Sequence, residues 1–339
     1  MNSKQTYYKR TFLSGSSVLV VALIALCHIG LAKADWQKAE QDIMGTRITV
    51  ELYHQNDDEA QAAIAAVMNE MHRIDRSMSP YKPDSELSIV NREAADHPVK
   101  ISTELYNLLQ RSIDFSQLTN GAFDITFASA GFLYDYRAAI KPDEQSLSEA
   151  VKHINYRNIH LDGNAHTVSF AQPGVKIDLG GIAKGYAVDL GIALVQNRGV
   201  SSALVTAGGD TRVIGERWGR PWQIGIRDPR KADAIVAKIP LENVAVSTSG
   251  DYERFFEQDN TRYHHIINPA TGDSARELQS TTVIGPDAIT TDALSTSIFV
   301  LGVEKGLALI NQLADIDAIL VDSHGRLHYS SGLLRLTSE

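Results

Sequence analysis

Asp292 and Thr296 stand four residues apart in a stretch of helical apolar spacing, so both project from one helix face. A carboxylate and a hydroxyl so placed could hold a hard cation through oxygen. Mg²⁺ needs few protein ligands when water and a substrate phosphate supply the rest. Thr290, Thr291 or Asp292 could instead simply cap the helix. A second cluster lies in the run K-I-D-L-G-G-I-A-K-G-Y-A-V-D at 176–189. Gly180 and Gly181 permit a tight turn and close approach of a bound group to the backbone. Amides at the start of the following helix would favour a phosphate. Asp178 and Lys184 add one charge of each sign. The spacing is neither a P-loop, since Gly185 follows Lys184, nor G-x-G-x-x-G, and glycines at such a turn can be purely structural.

His264 and His265 are adjacent on an expected strand and so face opposite sides, which lets at most one enter a given site. One could act as a general base near neutral pH, or both could be structural. Zinc spacing is absent, and the single cysteine, Cys27, rules out a soft-metal cage. Ser247 and Ser249 beside Gly250 lack the G-x-S-x-G elbow of a hydrolase and read more naturally as phosphate donors. Tyr81, in the turn-rich loop 79–85, is either an exposed aromatic platform or a packing residue of that loop.

The elements that would position these groups are strands and helices without βαβ alternation. Strands are expected at 48–52, 202–206, 222–226, 235–239, 263–267 and 280–284. Hairpins are expected at 167–179, turning on Pro173-Gly174, and at 318–329. Helices are expected at 59–76, at 103–119 with Asn120-Gly121 closing it, and from about 291. The run 176–189 should begin as a strand and become a helix with Ile182, Tyr186, Leu190 and Leu194 on its apolar stripe. This pattern predicts an α+β fold of mixed sheets with packed helices, one compact unit of two interleaved lobes over 35–339.

Residues 1–34 read as a signal peptide, with Lys4, Lys9 and Arg10 ahead of an apolar run 18–26 and Ala32-Lys33-Ala34 as the cleavage site. Acylation of Cys27 is disfavoured because the large Leu26 precedes it. The expected location is periplasmic or exported, with no membrane span after residue 34. The chain carries 32 Lys and Arg against 41 Asp and Glu. Removing 1–34 takes only basic residues, so the mature protein is more acidic still, which argues against nucleic acid as a partner.

In order, Met44-Gly45-Thr46, Ser79-Pro80-Tyr81 with Pro83-Asp84-Ser85-Glu86-Leu87, Gly121-Ala122-Phe123-Asp124, Ile177 to Ala187, Ala207-Gly208-Gly209-Asp210, Thr248-Ser249-Gly250-Asp251-Tyr252, His264-His265-Ile266-Ile267 with Pro269, and Thr291 to Thr296 resemble the ApbE family, the FAD:protein FMN transferases. The resemblance implies a T-fold-related architecture, FAD as substrate, Mg²⁺ as cofactor, and transfer of FMN onto a Thr or Ser hydroxyl with release of AMP. It implies that Tyr81 stacks on the isoalloxazine and that Met44, Ala122, Phe123, Asp124, Asp178, Lys184 and Ile266 are further FAD contacts. Asp292, Thr296 and the Gly181 carbonyl would be metal ligands. His265 would be the base, with a metal-adjacent carboxylate as its rival. Implied partners are exported or membrane-bound acceptor proteins, such as subunits of sodium-pumping, Rnf-type or other respiratory complexes. Asn268 departs from the family's frequent Asp, and 127–137 departs from the usual segment after G-A-F-D. A metal-dependent FAD pyrophosphatase, or a flavin carrier without turnover, would use the same site.

Overall fold

Alternating apolar residues build the strand that starts the sheet. In β2 (Thr46–His54) Ile48, Val50 and Leu52 are fully buried. Strand β1 (Asp35–Ile43) has no such alternation, and it exists because it pairs along its whole length with β2. Its charged residues suit an edge strand, where they discourage pairing with other chains. The two strands turn on Met44 (φ 56) and Gly45 (φ 69), the paired positive φ of a type I′ hairpin. The computed structural model describes residues 35–231 and 234–336. The expected signal segment 1–34 lies outside the described residues.

An eight-stranded, wholly antiparallel sheet organises the chain, in the order β1–β2–β6–β7–β10–β13–β14–β15. Its remaining strands are β6 (Ser202–Ala207), β7 (Asp210–Ile214), β10 (Ala245–Gly250), β13 (Leu278–Gly285), β14 (Asp317–Asp322) and β15 (Leu327–Tyr329). Helix α1 (Asp57–Met78) covers the β1–β2 end of one face. Chain connections between β2 and β6 carry α2 (Glu86–Glu93), α3 (Thr103–Leu118) and a small sheet ordered β3–β5–β4. Those strands are β3 (Val99–Lys100), β4 (Ile159–Asp162) and β5 (Thr167–Phe170). The buried residues of this segment, Val99, Leu105 and Val168 among them, join one core with those of the large sheet. Helices α4 (Ala183–Gln196) and α5 (Ala288–Ile310) then pack on each other and on the middle of the large sheet. The opposite face is covered by the hairpin β8 (Trp222–Arg227) and β9 (Ile235–Leu241), where Trp222 and Leu241 pack on Val213 and Val246. A last hairpin, β11 (Phe255–Gln258) and β12 (Thr261–His264), turns on Asp259 and Asn260, both at positive φ. Helices on one face of an antiparallel sheet make the α+β class expected from the element order.

Three expectations need correction. Residues 175–179 belong to no sheet, so the hairpin turning at Pro173-Gly174 does not form. Side chains replace a partner strand there: Asn91 donates to the Ile177 carbonyl (2.8 Å) and accepts the Ile177 N–H (2.7 Å). Ser129 accepts the Lys176 N–H (3.0 Å), and the Ile125 carbonyl accepts the Asp178 N–H (3.0 Å). Asn91→Ala would leave a buried N–H and C=O of Ile177 unsatisfied, and should lower stability by about 2 kcal/mol or more in urea unfolding. An unchanged midpoint would show that this clamp is dispensable.

Helix α4, second, buries Gly185, Val188, Ile192 and Val195 most deeply, because it is sandwiched between helices and sheet, while Tyr186, Leu190 and Leu194 are only partly covered. Third, α5 resembles a membrane span by length and composition, although no such resemblance was expected after residue 34. Here it is a core helix, packed on β10, β13 and α4 and interrupted at Gly302 (φ 79).

Candidate active site

The first turn of α4 meets the first turns of α5 at one end of the large sheet. Capping does not use Asp292, because Asp287 caps α5 by accepting the Thr290 N–H (2.8 Å). Asp189 of α4 accepts the Ala288 and Ile289 amides at 2.9 Å each. Asp292 is thereby free to face α4, where it accepts the Gly185 N–H (3.0 Å) and lies 3.3 Å from the Lys184 Nζ. Lys184 also reaches Asp210 Oδ2 at 2.7 Å and donates to the Gly180 carbonyl at 3.1 Å. Asp210 and Asp292 are both 2 % exposed, so two buried carboxylates share one ammonium. Burial opposes the Lys184 charge, but the two carboxylates outweigh it and hold its pKa above the usual lysine value. Asp292 is raised, by burial first and by the Asp210 charge second.

Thr296, one turn on, comes against the glycine bend. A Cβ on Gly181 would lie 3.2 Å from its Oγ1 and 3.3 Å from the Phe123 ring. Ser249 at the end of β10 approaches Thr296 Oγ1 (3.4 Å) and bonds Ser295 Oγ (2.9 Å), which binds this helix face to the sheet through hydroxyls. Residues more than a hundred positions apart are thus brought together as the sequence predicts.

The β11–β12 hairpin brings in the other side. Its strands pair Phe255 with His264, so the flanking residues Arg254 and His265 are neighbours, with the His265 N–H on the Arg254 carbonyl at 3.1 Å. β12 ends at His264, and the two histidines separate as expected. The His264 Nε2–H donates to the Ala275 carbonyl (2.6 Å) and its ring edge meets Phe299, a structural role. His265 Nδ1 is buried and has no hydrogen-bond partner among the described residues. Burial first, then the Arg254, His264 and Lys184 charges, push the His265 pKa down to about 3. Its imidazole is neutral at physiological pH.

Tyr81 is 73 % exposed, on the rim, with Phe132 edge-on at 6.1 Å. Its hydroxyl pKa is pushed up by partial burial first and by the Asp178 charge, with Arg254 opposing. The Met44-Gly45 turn lies beside Arg254, since a Cβ on Gly45 would touch the guanidinium at 3.1 Å. Asp178 is buried, its pKa raised by that burial, and it accepts the Gly180 N–H (2.7 Å).

Other expected residues are committed to the protein itself. Asp124 accepts the Thr126 N–H and hydroxyl on one oxygen (2.9 and 2.6 Å) and the Tyr156 N–H on the other (2.7 Å). Phe123 is core, against Phe115, with Ala122 half-buried beside it. Ile266 is buried, its carbonyl accepting from Ala275. The bend spends its Gly180, Ile182, Ala183 and Gly185 amides internally, leaving those of Gly181 and Lys184 without a protein acceptor among the described residues. The anion cradle expected of it is therefore small.

The ApbE family model matches residues 44–320, more than half of the chain. This chain belongs to the ApbE family. It is 34 % identical to a Treponema pallidum protein named FAD:protein FMN transferase, covering 93 % of each chain. A Klebsiella pneumoniae protein of the same name is 33 % identical, covering 85 % of this chain and 90 % of its own. The crystal structure of an ApbE protein from Thermotoga maritima superposes with a TM-score of 0.83 at 34 % identity, covering 89 % of this chain and 99 % of that one. The flavin transferase ApbE from Vibrio cholerae gives 0.80 at 28 % identity, with 89 % and 99 % covered.

Two residues of this ApbE site escaped the sequence reading as site residues. Asp210 had a signal, a carboxylate directly after a diglycine turn. Arg254 had none, being one arginine among several between 227 and 276. A divalent cation fits the donors present. Asp292, Thr296 and the Gly181 backbone are hard-oxygen groups, and two carboxylates against one ammonium leave an excess negative charge.

Proposed function

We propose that this chain is an FAD:protein FMN transferase that moves FMN from FAD onto a Ser or Thr hydroxyl of an acceptor protein and releases AMP. The observation that carries the reading is the meeting of the 178–185 bend with Asp292 and Thr296. An exposed aromatic at the rim suits a flavin ring, and a floor of excess negative charge suits the cation that would accompany its diphosphate. Asp292, Thr296 and the Gly181 carbonyl would hold Mg²⁺, which when bound supplies charge neutralisation to the diphosphate oxygens.

The acceptor hydroxyl oxygen attacks the phosphorus of the FMN half. The bond from that phosphorus to the bridging oxygen breaks, and AMP leaves with the electron pair. The hydroxyl proton passes to the neutral imidazole of His265, whose Nδ1 is unpartnered among the described residues. Burial is the larger cause of its low pKa, and a bound diphosphate would offset the smaller share that comes from Arg254 and Lys184, making the imidazole more basic when substrate is present. Lys184 orients the diphosphate from the floor, and Asp210 fixes that ammonium. Residues 1–34 direct export, and the acceptors are exported or membrane-bound redox proteins.

His265→Ala should lower transfer by about 10²–10⁴-fold while FAD still binds. The test is incubation with FAD, Mg²⁺ and an exported candidate acceptor, with mass spectrometry for FMN on Ser or Thr and chromatography for AMP. An adduct that forms at the wild-type rate in the variant removes His265 as base. FMN release at the same rate with and without acceptor would mean hydrolysis rather than transfer.

A further inference from the structure

We propose that Arg254 binds the phosphoryl group that is transferred, an inference that rests on the transferase reading. The guanidinium lies against Gly45 of the β1–β2 turn, and its charge is felt by Tyr81, Asp178 and His265. It is exposed, and among the described residues no group accepts a hydrogen bond from its guanidinium and no carboxylate pairs with it. Its neighbours differ. Arg227 pairs with Glu253, Arg230 and Arg262 with Asp251, and Arg276 with Asp273. In a region where arginines are matched to acids, the unmatched one is the one facing the site.

The charge balance gives that cation a task. Lys184 is already shared between Asp210 and Asp292, so it brings no net positive charge to an incoming diphosphate. Arg254 sits on the other flank of His265, joined to it through the backbone. A phosphorus attacked by a hydroxyl that His265 deprotonates must lie next to His265, and so within reach of this guanidinium. The planar fork matches two non-bridging phosphoryl oxygens, a geometry lysine cannot reproduce.

Flavins that differ only in that phosphate provide the test. Binding of riboflavin, FMN and FAD to the full-length protein in Mg²⁺ buffer is followed by quenching of flavin fluorescence, for wild type, Arg254→Gln and Arg254→Lys. Arg254→Gln should weaken FMN about ten- to a hundredfold and leave riboflavin unchanged, with Arg254→Lys in between. Because the side chain has no hydrogen-bond or ionic partner among the described residues, the melting temperature should stay at the wild-type value. Equal weakening of riboflavin would place the guanidinium on the flavin ring and overturn the proposal. So would unchanged FMN affinity with a raised KM for the acceptor alone. These readouts need no turnover, so they stand apart from the transferase reading, which fails if wild type yields no AMP with any acceptor.

Discussion

Asp292→Asn should cut FMN transfer by about 10²–10³-fold and leave the fold intact. Asparagine keeps the volume and retains an oxygen for the Gly185 N–H, so the α4–α5 contact survives. Lys184 keeps Asp210 at 2.7 Å as its partner, and one ammonium then faces one carboxylate rather than two. What is lost is the charged oxygen donor that, with Thr296 and the Gly181 carbonyl, would hold the cation. The variant should bind FAD measurably, melt within a few degrees of wild type, and show no saturable response to Mg²⁺. AMP release within tenfold of wild type would refute the ligand assignment. An unfolded variant would instead assign Asp292 to the structure, and Asp292→Glu, which retains charge but lengthens the side chain, would separate charge from fit.

Legibility in the sequence followed the range of the forces involved. Elements with strong local periodicity, such as α1 with Ala63, Val67, Met71 and Ile74, or β2, could be read directly. So could the end of α3, where Asn120 (φ 51) and Gly121 (φ 83) take the left-handed conformation. Strand β1 could not, because only its partner makes DWQKAEQDI a strand. The strap 175–179 misled for the opposite reason. It has strand composition, but Asn91 and Ser129 satisfy its backbone from afar. The site divided along the same line. Asp178, Lys184, Asp292 and His265 stood out by type and spacing, and the family resemblance implied their roles. Arg254 gains its meaning from a hairpin that seats it beside His265 while its neighbours find acids.

Gly185→Ala should be the most damaging single-methyl change in the molecule's working parts. The glycine lies one residue after Lys184, in the first turn of α4, where α5 crosses closest. A Cβ there would fall well inside van der Waals contact of the Ala288 carbonyl oxygen and 2.8 Å from the Asp292 Cβ. One of those obstacles is backbone, and neither is the loose end of a flexible side chain. The helices must therefore separate, and overpacking of this kind costs about 3 kcal/mol or more. Separation also lengthens the Gly185 N–H contact to Asp292 and draws Lys184 away from the same carboxylate, so activity should fall even where the protein remains folded. Circular dichroism melts and FMN transfer measured well below the melting temperature would show both losses. A melting temperature within about one degree of wild type would mean that α4 and α5 are not in the contact on which the whole site depends.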